Sequence, residues 1–316
     1  MPRSARTSPT PSRNFIAGTF LAAAIVVTSG CQVANQSLRA DFIDFNAILQ
    51  GNQTQQMLLN LVRMRYRETP LFLQAGSLTA SYESSFSADT TATIPDADLA
   101  SLDIGGSYRF SSKPTISYTP VEGKEYVQQF MAEITPQTFA MLVRAGWPIT
   151  KLGDLLVASV TLESGERLLG RPSAASHPRF REFFQGLQEA EDRDELSLVG
   201  RKDGGFDVRA GAQSIGVERF QFRSLFSTMF NASKDVQVPA ARASWAKSTP
   251  GGQEIDVRVS DTKPTDALVW VEYAGWYYSI ANEDLRSKDT LALLVQLCRI
   301  QAGPSAPAPL VTIPAR

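Results

Sequence analysis

Gly76-Ser77-Leu78-Thr79-Ala80-Ser81-Tyr82-Glu83-Ser84-Ser85-Phe86-Ser87-Ala88-Asp89-Thr90-Thr91-Ala92-Thr93-Ile94 alternates with a period of two. Its even positions carry Leu78, Ala80, Tyr82, Phe86, Ala88, Ala92 and Ile94. Its odd positions are Ser, Thr, Glu or Asp. Turn chemistry follows at Pro95-Asp96-Ala97-Asp98. The alternation then resumes, with Leu102, Ile104, Tyr108, Phe110, Ile116 and Tyr118 set against Ser101, Asp103, Arg109, Ser111, Lys113 and Ser117. Successive side chains of a strand point to opposite faces, so the pattern predicts one long β-hairpin with a polar face and a weakly apolar one. A loop at 95–99 sets Phe86 opposite Tyr108 and leaves Glu83 diagonal to Arg109, a favourable pairing. Other even registers also keep the faces sorted, so the register stays open at this stage. Strands of about 18 residues rise roughly 60 Å. Two strands alone are marginal in water. Something must therefore cover the face that bears Tyr82, Phe86, Tyr108 and Phe110: the protein's own core, a partner or sister subunit, or lipid.

Outward from the hairpin, both flanks read as helical. Upstream, residues 31–50 are expected to be a tether and a short helix. Asn52 or Thr54 then offers a cap to a helix over Gln55–Arg67, with Leu58, Leu61 and Val62 on one face and Thr69-Pro70 as its stop. Arg63 and Arg67 sit one turn apart on it, candidates to meet lipid headgroups or a partner carboxylate. Downstream, helices are expected over Gly123–Glu133, Pro136–Ala145, Thr150–Leu162 (with a strand-like end), Pro178–Arg193, Arg219–Phe230 and Asp289–Ile300, the last capped by Ser287 or Asp289. Two hairpins are expected, at Leu196–Val199 with Phe206–Val208 and at Ala267–Tyr273 with Trp276–Ile280 around Ala274-Gly275. Helices mixed with short antiparallel hairpins, without βαβ alternation, predict an α+β fold. The expected divisions are 1–30, 31–50, 51–120 (helix plus long hairpin), 121–303 (α+β domain) and a Pro-rich extended tail over 304–316.

Chemistry is sparse. His177 is the single histidine, so no histidine-rich metal site can be built. No Gly-x-Ser-x-Gly elbow accompanies it. Ser244-Trp245-Ala246-Lys247 matches Ser-x-x-Lys without its companion boxes. The charge run Glu189–Glu195 lacks calcium-loop spacing and reads as a solvated helix end. Phosphate-binding glycine motifs are absent, which removes support for a nucleotide. Trp276-Tyr277-Tyr278 reads more readily as strand aromatics on a core than as a stacking platform. The sequence thus predicts no catalytic residues, no metal and no cofactor. Cys298 lies in the apolar run Leu291–Cys298 and reads as a small buried hydrophobe.

The leader resembles a bacterial lipoprotein export signal. Arg3, Arg6 and Arg13 precede the apolar run Phe15–Val27, and Thr28-Ser29-Gly30-Cys31 resembles a lipobox. An apolar run of about 13 residues is too short to span about 30 Å of hydrocarbon. The resemblance implies cleavage after Gly30 and lipidation of Cys31. Acyl chains at roughly 0.8 kcal/mol per buried CH₂ then hold the protein on a membrane. Gln32 after the cysteine resembles the pattern sent to the outer membrane, with the periplasmic face as default. Without the leader, 28 Lys and Arg face 32 Asp and Glu. That mildly acidic balance argues against a nucleic-acid partner. Three further stretches resemble a group of Gram-negative lipoproteins to which no activity is tied: Leu58–Tyr66, Pro114–Pro120, and Trp276–Ile280 through Ser287-Lys288. That likeness carries over no catalytic residue. The expectation is a lipid-anchored, non-enzymatic envelope binding or scaffold lipoprotein, with a protein partner or self-association. The alternative is a subunit of an oligomeric outer-membrane β-barrel channel that donates the 76–119 hairpin.

Overall fold

A computed structural model describes residues 45–93, 101–201, 205–246 and 253–301. Cys31, Gly30, the 95–99 loop and the 304–316 tail lie outside them. The chain divides into two compact units, Met1–Gln53 and Thr54–Arg316. The second is an α+β body.

Helix α1 runs over 45–65 without the break expected at Asn52 or Thr54. Met57, Leu58, Leu61, Val62 and Met64 are buried at helical spacing. The helix stops before Thr69-Pro70. Arg67 adopts φ +66°, its N–H donates to the Met64 carbonyl at 3.1 Å, and the Glu68 N–H donates to the Arg63 carbonyl at 2.9 Å. This left-handed stop satisfies carbonyls that the helix cannot, in the arrangement usually given to glycine. Asn60, fully buried, then pins the returning chain: its amide donates to the Leu71 carbonyl at 2.8 Å and accepts from the Leu71 N–H at 3.0 Å.

Strands β1 (Leu73–Thr93) and β2 (Ser101–Pro120) pair antiparallel as their own two-stranded sheet. The register sets Phe86 opposite Tyr108, and Arg109 opposite Ser85 with Glu83 one diagonal away, as the loop-length argument predicts. A bulge between Ala75 and Leu78 bends the root. Pro114, which has no N–H to give, pairs with Ala80 on a strand whose other edge is unpaired among the described residues.

Beyond Val121, helix α2 (Gly123–Tyr126) passes into a π turn, Val127–Met131, whose buried Phe130 stacks on Phe72 at 3.9 Å. Helix α3 (Pro136–Arg144) opens on Pro136 with Thr135 as its cap. Helix α4 (Ile149–Leu156) runs directly into strand β3 (Val157–Leu162), so the expected third helix is half strand. Strand β4 (Arg167–Leu169) pairs with β3, and helix α5 (His177–Asp192) packs its Phe180, Phe184 and Leu187 face inward. Gly153 of α4 leaves room for the Phe184 ring, since a Cβ there would meet ring atoms at 2.5 Å.

Strands β5 (Leu196–Gly200), β6 (Phe206–Ala210) and β7 (Gln213–Ile215) form one sheet in that order. Strand β8 (Val217–Phe222) joins β3 in a β4-β3-β8 sheet, and helix α6 (Leu225–Ser233) starts only after it, capped by Ser224. The helix expected from Arg219 is thus strand for its first four residues. Its phenylalanines at 220 and 222 alternate and meet Phe139 and Phe206 in one aromatic core. A 3₁₀ turn (Ala240–Trp245) precedes β9 (Arg258–Ser260), β10 (Ala267–Tyr273) and β11 (Trp276–Ala281). Ala274 and Gly275 both take positive φ at the β10–β11 turn, as a tight two-residue hairpin requires. Helix α7 (Leu285–Gln301) begins earlier than predicted, because the Asp284 carboxylate takes the Ser287 N–H at 3.1 Å. Residues 57–72 and 121–297 contribute to a single core, so the expected boundary at residue 120 separates no two cores.

Candidate functional site

The hairpin is the first candidate. Strands of 21 and 20 residues reach roughly 65 Å at about 3.3 Å each. Among the described residues, no third strand pairs with them. Tyr82, Phe86, Tyr108 and Phe110 fall at even positions of this ribbon, opposite Ser112, Tyr108, Phe86 and Ser84 respectively. At its root Phe72 and Val121 are buried, while other large apolar side chains are open to solvent. Leu71, Leu73 and Tyr118 are about 40% exposed, and Val127 and Met131, one turn apart in the π segment, are 56% and 49% exposed.

Arg63 and Arg67, proposed from sequence as outward contacts, are both engaged by the body. Arg63 Nη1 lies 3.5 Å from Asn60 Oδ1. The Arg67 guanidinium lies 5.3 Å from the centre of the Phe230 ring, with Lys234 Nζ at 5.4 Å from the same ring. Burial lowers the Lys234 ammonium below its ordinary value, with Arg223 and Arg67 pushing the same way.

The aromatic strand β11 is a core strand. Tyr278 is fully buried, and its hydroxyl lies 2.6 Å from that of Tyr66. Tyr273 stacks on Tyr66 at 5.5 Å and donates its hydroxyl to Glu68. Burial first, then the contact with Glu68, pushes the Tyr273 hydroxyl up to about 12. Burial and the Tyr66 bond push Tyr278 higher still. These hydroxyls act as neutral hydrogen-bonding groups that lock α1 to the β10–β11 hairpin.

A polar cluster that sequence reading missed lies elsewhere in the body. Asp154 and Lys151 come from α4, Arg223 from the approach to α6, Asp235 from its exit, Glu254 from the strand-like segment before β9, and Arg286 from α7. Arg223 caps three carbonyls, those of Asp154, Leu155 and Gly170, at 2.7, 2.9 and 3.1 Å. Asp235 accepts the Gln253 and Glu254 N–H groups at 3.1 and 2.8 Å. Burial raises the Asp154 and Asp235 carboxyls, against opposing cations and backbone donors respectively. Burial lifts Glu254 to about 7, with Asp154 and Asp235 adding to the rise and Lys151 and Arg286 opposing it. Six residues from five places in the chain leave no local signal in sequence.

The remaining sequence candidates stay apart. His177 stacks near Phe180 with its Nδ1 unpartnered. The charge run closes α5 with a Gln188–Asp192 bond at 2.9 Å and an Arg193–Glu195 pair at 3.1 Å. Burial pushes the Cys298 thiol up to about 12, which disfavours the thiolate. Among the described residues no group of three His, Cys, Asp or Glu could hold a metal ion, and no helix is long and apolar enough to cross a membrane. The chain matches no protein-family model, no curated protein and no solved structure.

Proposed function

We propose that this protein is a non-enzymatic binding or scaffold lipoprotein of the Gram-negative cell envelope, lipid-anchored through Cys31 to the outer membrane on its periplasmic side. The hairpin β1–β2 is its docking arm. The observation that carries this reading is the ribbon itself: a two-stranded sheet of alternating sequence, rooted in a folded body, with Leu71, Leu73 and Tyr118 exposed at its base. A ribbon of this length is marginal without a partner surface. The lipobox-like Thr28–Cys31 supports the anchor.

A second reading rests on strand length. A tilted transmembrane strand needs about 9–11 residues, fewer than either strand holds. The ribbon could then join its copies in a closed outer-membrane barrel, which leaves no backbone edge unpaired.

Deletion of residues 84–110 tests both. For a docking arm, the variant stays folded and monomeric and loses a protein captured by the wild type from envelope extracts. For a channel, wild-type protein extracted in detergent is a heat-modifiable oligomer that conducts in planar bilayers, and the deletion abolishes both. An unacylated Cys31 by mass spectrometry of the exported protein overturns the anchor, and an intact leader on cytosolic material overturns the envelope setting.

A further inference from the structure

Strand β2 gives one edge to β1, and among the described residues no strand takes the other. The Val121 N–H donates to the Phe72 carbonyl at 2.9 Å, so the backbone at residue 121 turns toward β1. The one register shift of the ribbon adds its extra residue to β1, between Ala75 and Leu78, and β2 runs through unbroken. Backbone groups alternate from edge to edge along a strand, so the odd residues of β2 face β1 and its even residues face outward. Pro114 is an outward position, where the missing N–H takes no bond from β1. Before it, Leu102, Ile104, Gly106, Tyr108 and Phe110 present an uninterrupted outward row of donors and acceptors.

The charged positions decide what can pair with that row. Strand β1 carries Glu83 and Asp89 and neither Lys nor Arg. Strand β2 carries Asp103, Arg109 and Lys113. Glu83 stands opposite Ser111, with Arg109 and Lys113 on its diagonals. Asp103 stands opposite Thr91, with Asp89 and Thr93 on its diagonals. The ribbon therefore compensates Glu83 and leaves Asp103 beside a like charge. Across the open edge, β1 of a second copy has no cation to offer, and β2 of a second copy has Arg109. Antiparallel pairing of two β2 strands about Gly106 sets each Asp103 opposite the Arg109 of the other copy. The same register sets Ile104 opposite Tyr108, Leu102 opposite Phe110 and Gly106 opposite itself. These even residues all face outward, so the backbone groups match. Gly105 and Gly106 keep side-chain bulk away from the axis, where two backbones approach closely. The paired stretch is Ser101–Ser111, and Pro114 lies beyond it. Pairing about Tyr108 instead, with Asp103 opposite Lys113, sets Pro114 opposite Leu102 and loses a backbone bond.

We propose that the partner of the docking arm is a second copy of this chain, joined β2 to β2 about a two-fold axis at Gly106 in one four-stranded antiparallel sheet of order β1-β2-β2-β1. This names the partner of the hairpin and rests on reading the hairpin as a docking arm. The outward residues of the two strands supply about ten backbone hydrogen bonds, as many as a specific interface usually carries. Four strands with one weakly apolar face also pass the limit below which a lone hairpin is marginal in water. The axis repeats each contact, so the Asp103–Arg109 pairing occurs on both sides of it.

Light scattering on the full exported chain in detergent should give the mass of two chains. Asp103→Arg and Arg109→Asp each oppose like charges on both sides of the axis, and each should weaken the dimer by about tenfold or more. An equimolar mixture of the two variants should recover it, because each copy then carries the charge that the other lacks. Nitroxide labels on Ser107→Cys or Ser101→Cys, each in a Cys298→Ala chain, report the register by electron–electron distance. Labels at 107 should lie within about 20 Å of each other, and labels at 101, ten strand positions apart, at about 34 Å. The label distances also decide the matter where a charge variant does not fold. A chain that stays single at every concentration, or a mixture no tighter than its components, overturns the two-fold pairing. Equal separations at the two label sites overturn it in favour of a ring in which β2 meets β1 of the next copy. A single chain whose 84–110 deletion still loses a protein captured from envelope extracts overturns the two-fold pairing alone and leaves the docking arm standing.

Discussion

The hairpin and the body that carries it are built by opposite rules. The ladder of β1 and β2 runs between two strands adjacent in sequence, and no third strand among the described residues joins it. In the body, short hairpins such as β5–β6 and β10–β11 are bound together by remote contacts. Tyr66 meets Tyr278, Arg65 donates to the Val236 carbonyl, and Gln129 donates to the Cys298 carbonyl. An element held by local pairing can be changed without unfolding its carrier. An element held by remote packing cannot. A chain organised this way separates stability from contact: the body supplies the first and the ribbon is free to serve the second.

That contrast can be broken by measurement. The largest effect is expected in the body's core. Phe180→Ala removes a fully buried ring packed on Phe184 and should destabilise the protein by about 3–5 kcal/mol in denaturant unfolding. A middle effect is expected at the α4–α5 crossing. Gly153→Ala places a methyl where the Phe184 ring lies and should cost about 1–3 kcal/mol, with the loss reduced by Phe184→Leu in the same chain. The smallest is expected on the ribbon. Phe86→Ala should change global stability of the isolated protein by less than about 0.5 kcal/mol, and, under the docking-arm proposal, weaken capture of a protein from envelope extracts. A loss of several kcal/mol for Phe86→Ala would mean the ribbon belongs to the core, and the two regions would no longer differ in kind.

Legibility in the sequence followed the same line. The ribbon's register was open among even offsets, and the two strands took the one that a five-residue loop favours. The body's helices were readable where apolar spacing was strong, as at Leu58, Leu61 and Val62 or Phe180, Phe184 and Leu187. Reading failed where one apolar run served two structures. Val157 and Val160 continue the helical stretch 149–156, yet they are strand, because β8 offers them a partner 60 residues later. Phe220 and Phe222 read as helical from sequence for the same reason, yet they lie in β8. Caps failed where a side chain outside the expected run reached in, as Asp284 does for α7.

The polar cluster shows the limit most plainly. No window of the chain contains more than two of Lys151, Asp154, Arg223, Asp235, Glu254 and Arg286, and each alone reads as a surface charge. Sequence by itself determined the alternation of the hairpin, the amphipathic faces and the α+β composition, because these depend on neighbours a few residues apart. Only the tertiary structure decided which strands share a sheet and which carboxylates lose their water. Those outcomes turn on burial and on partners brought together by folding, and no spacing along the chain encodes them.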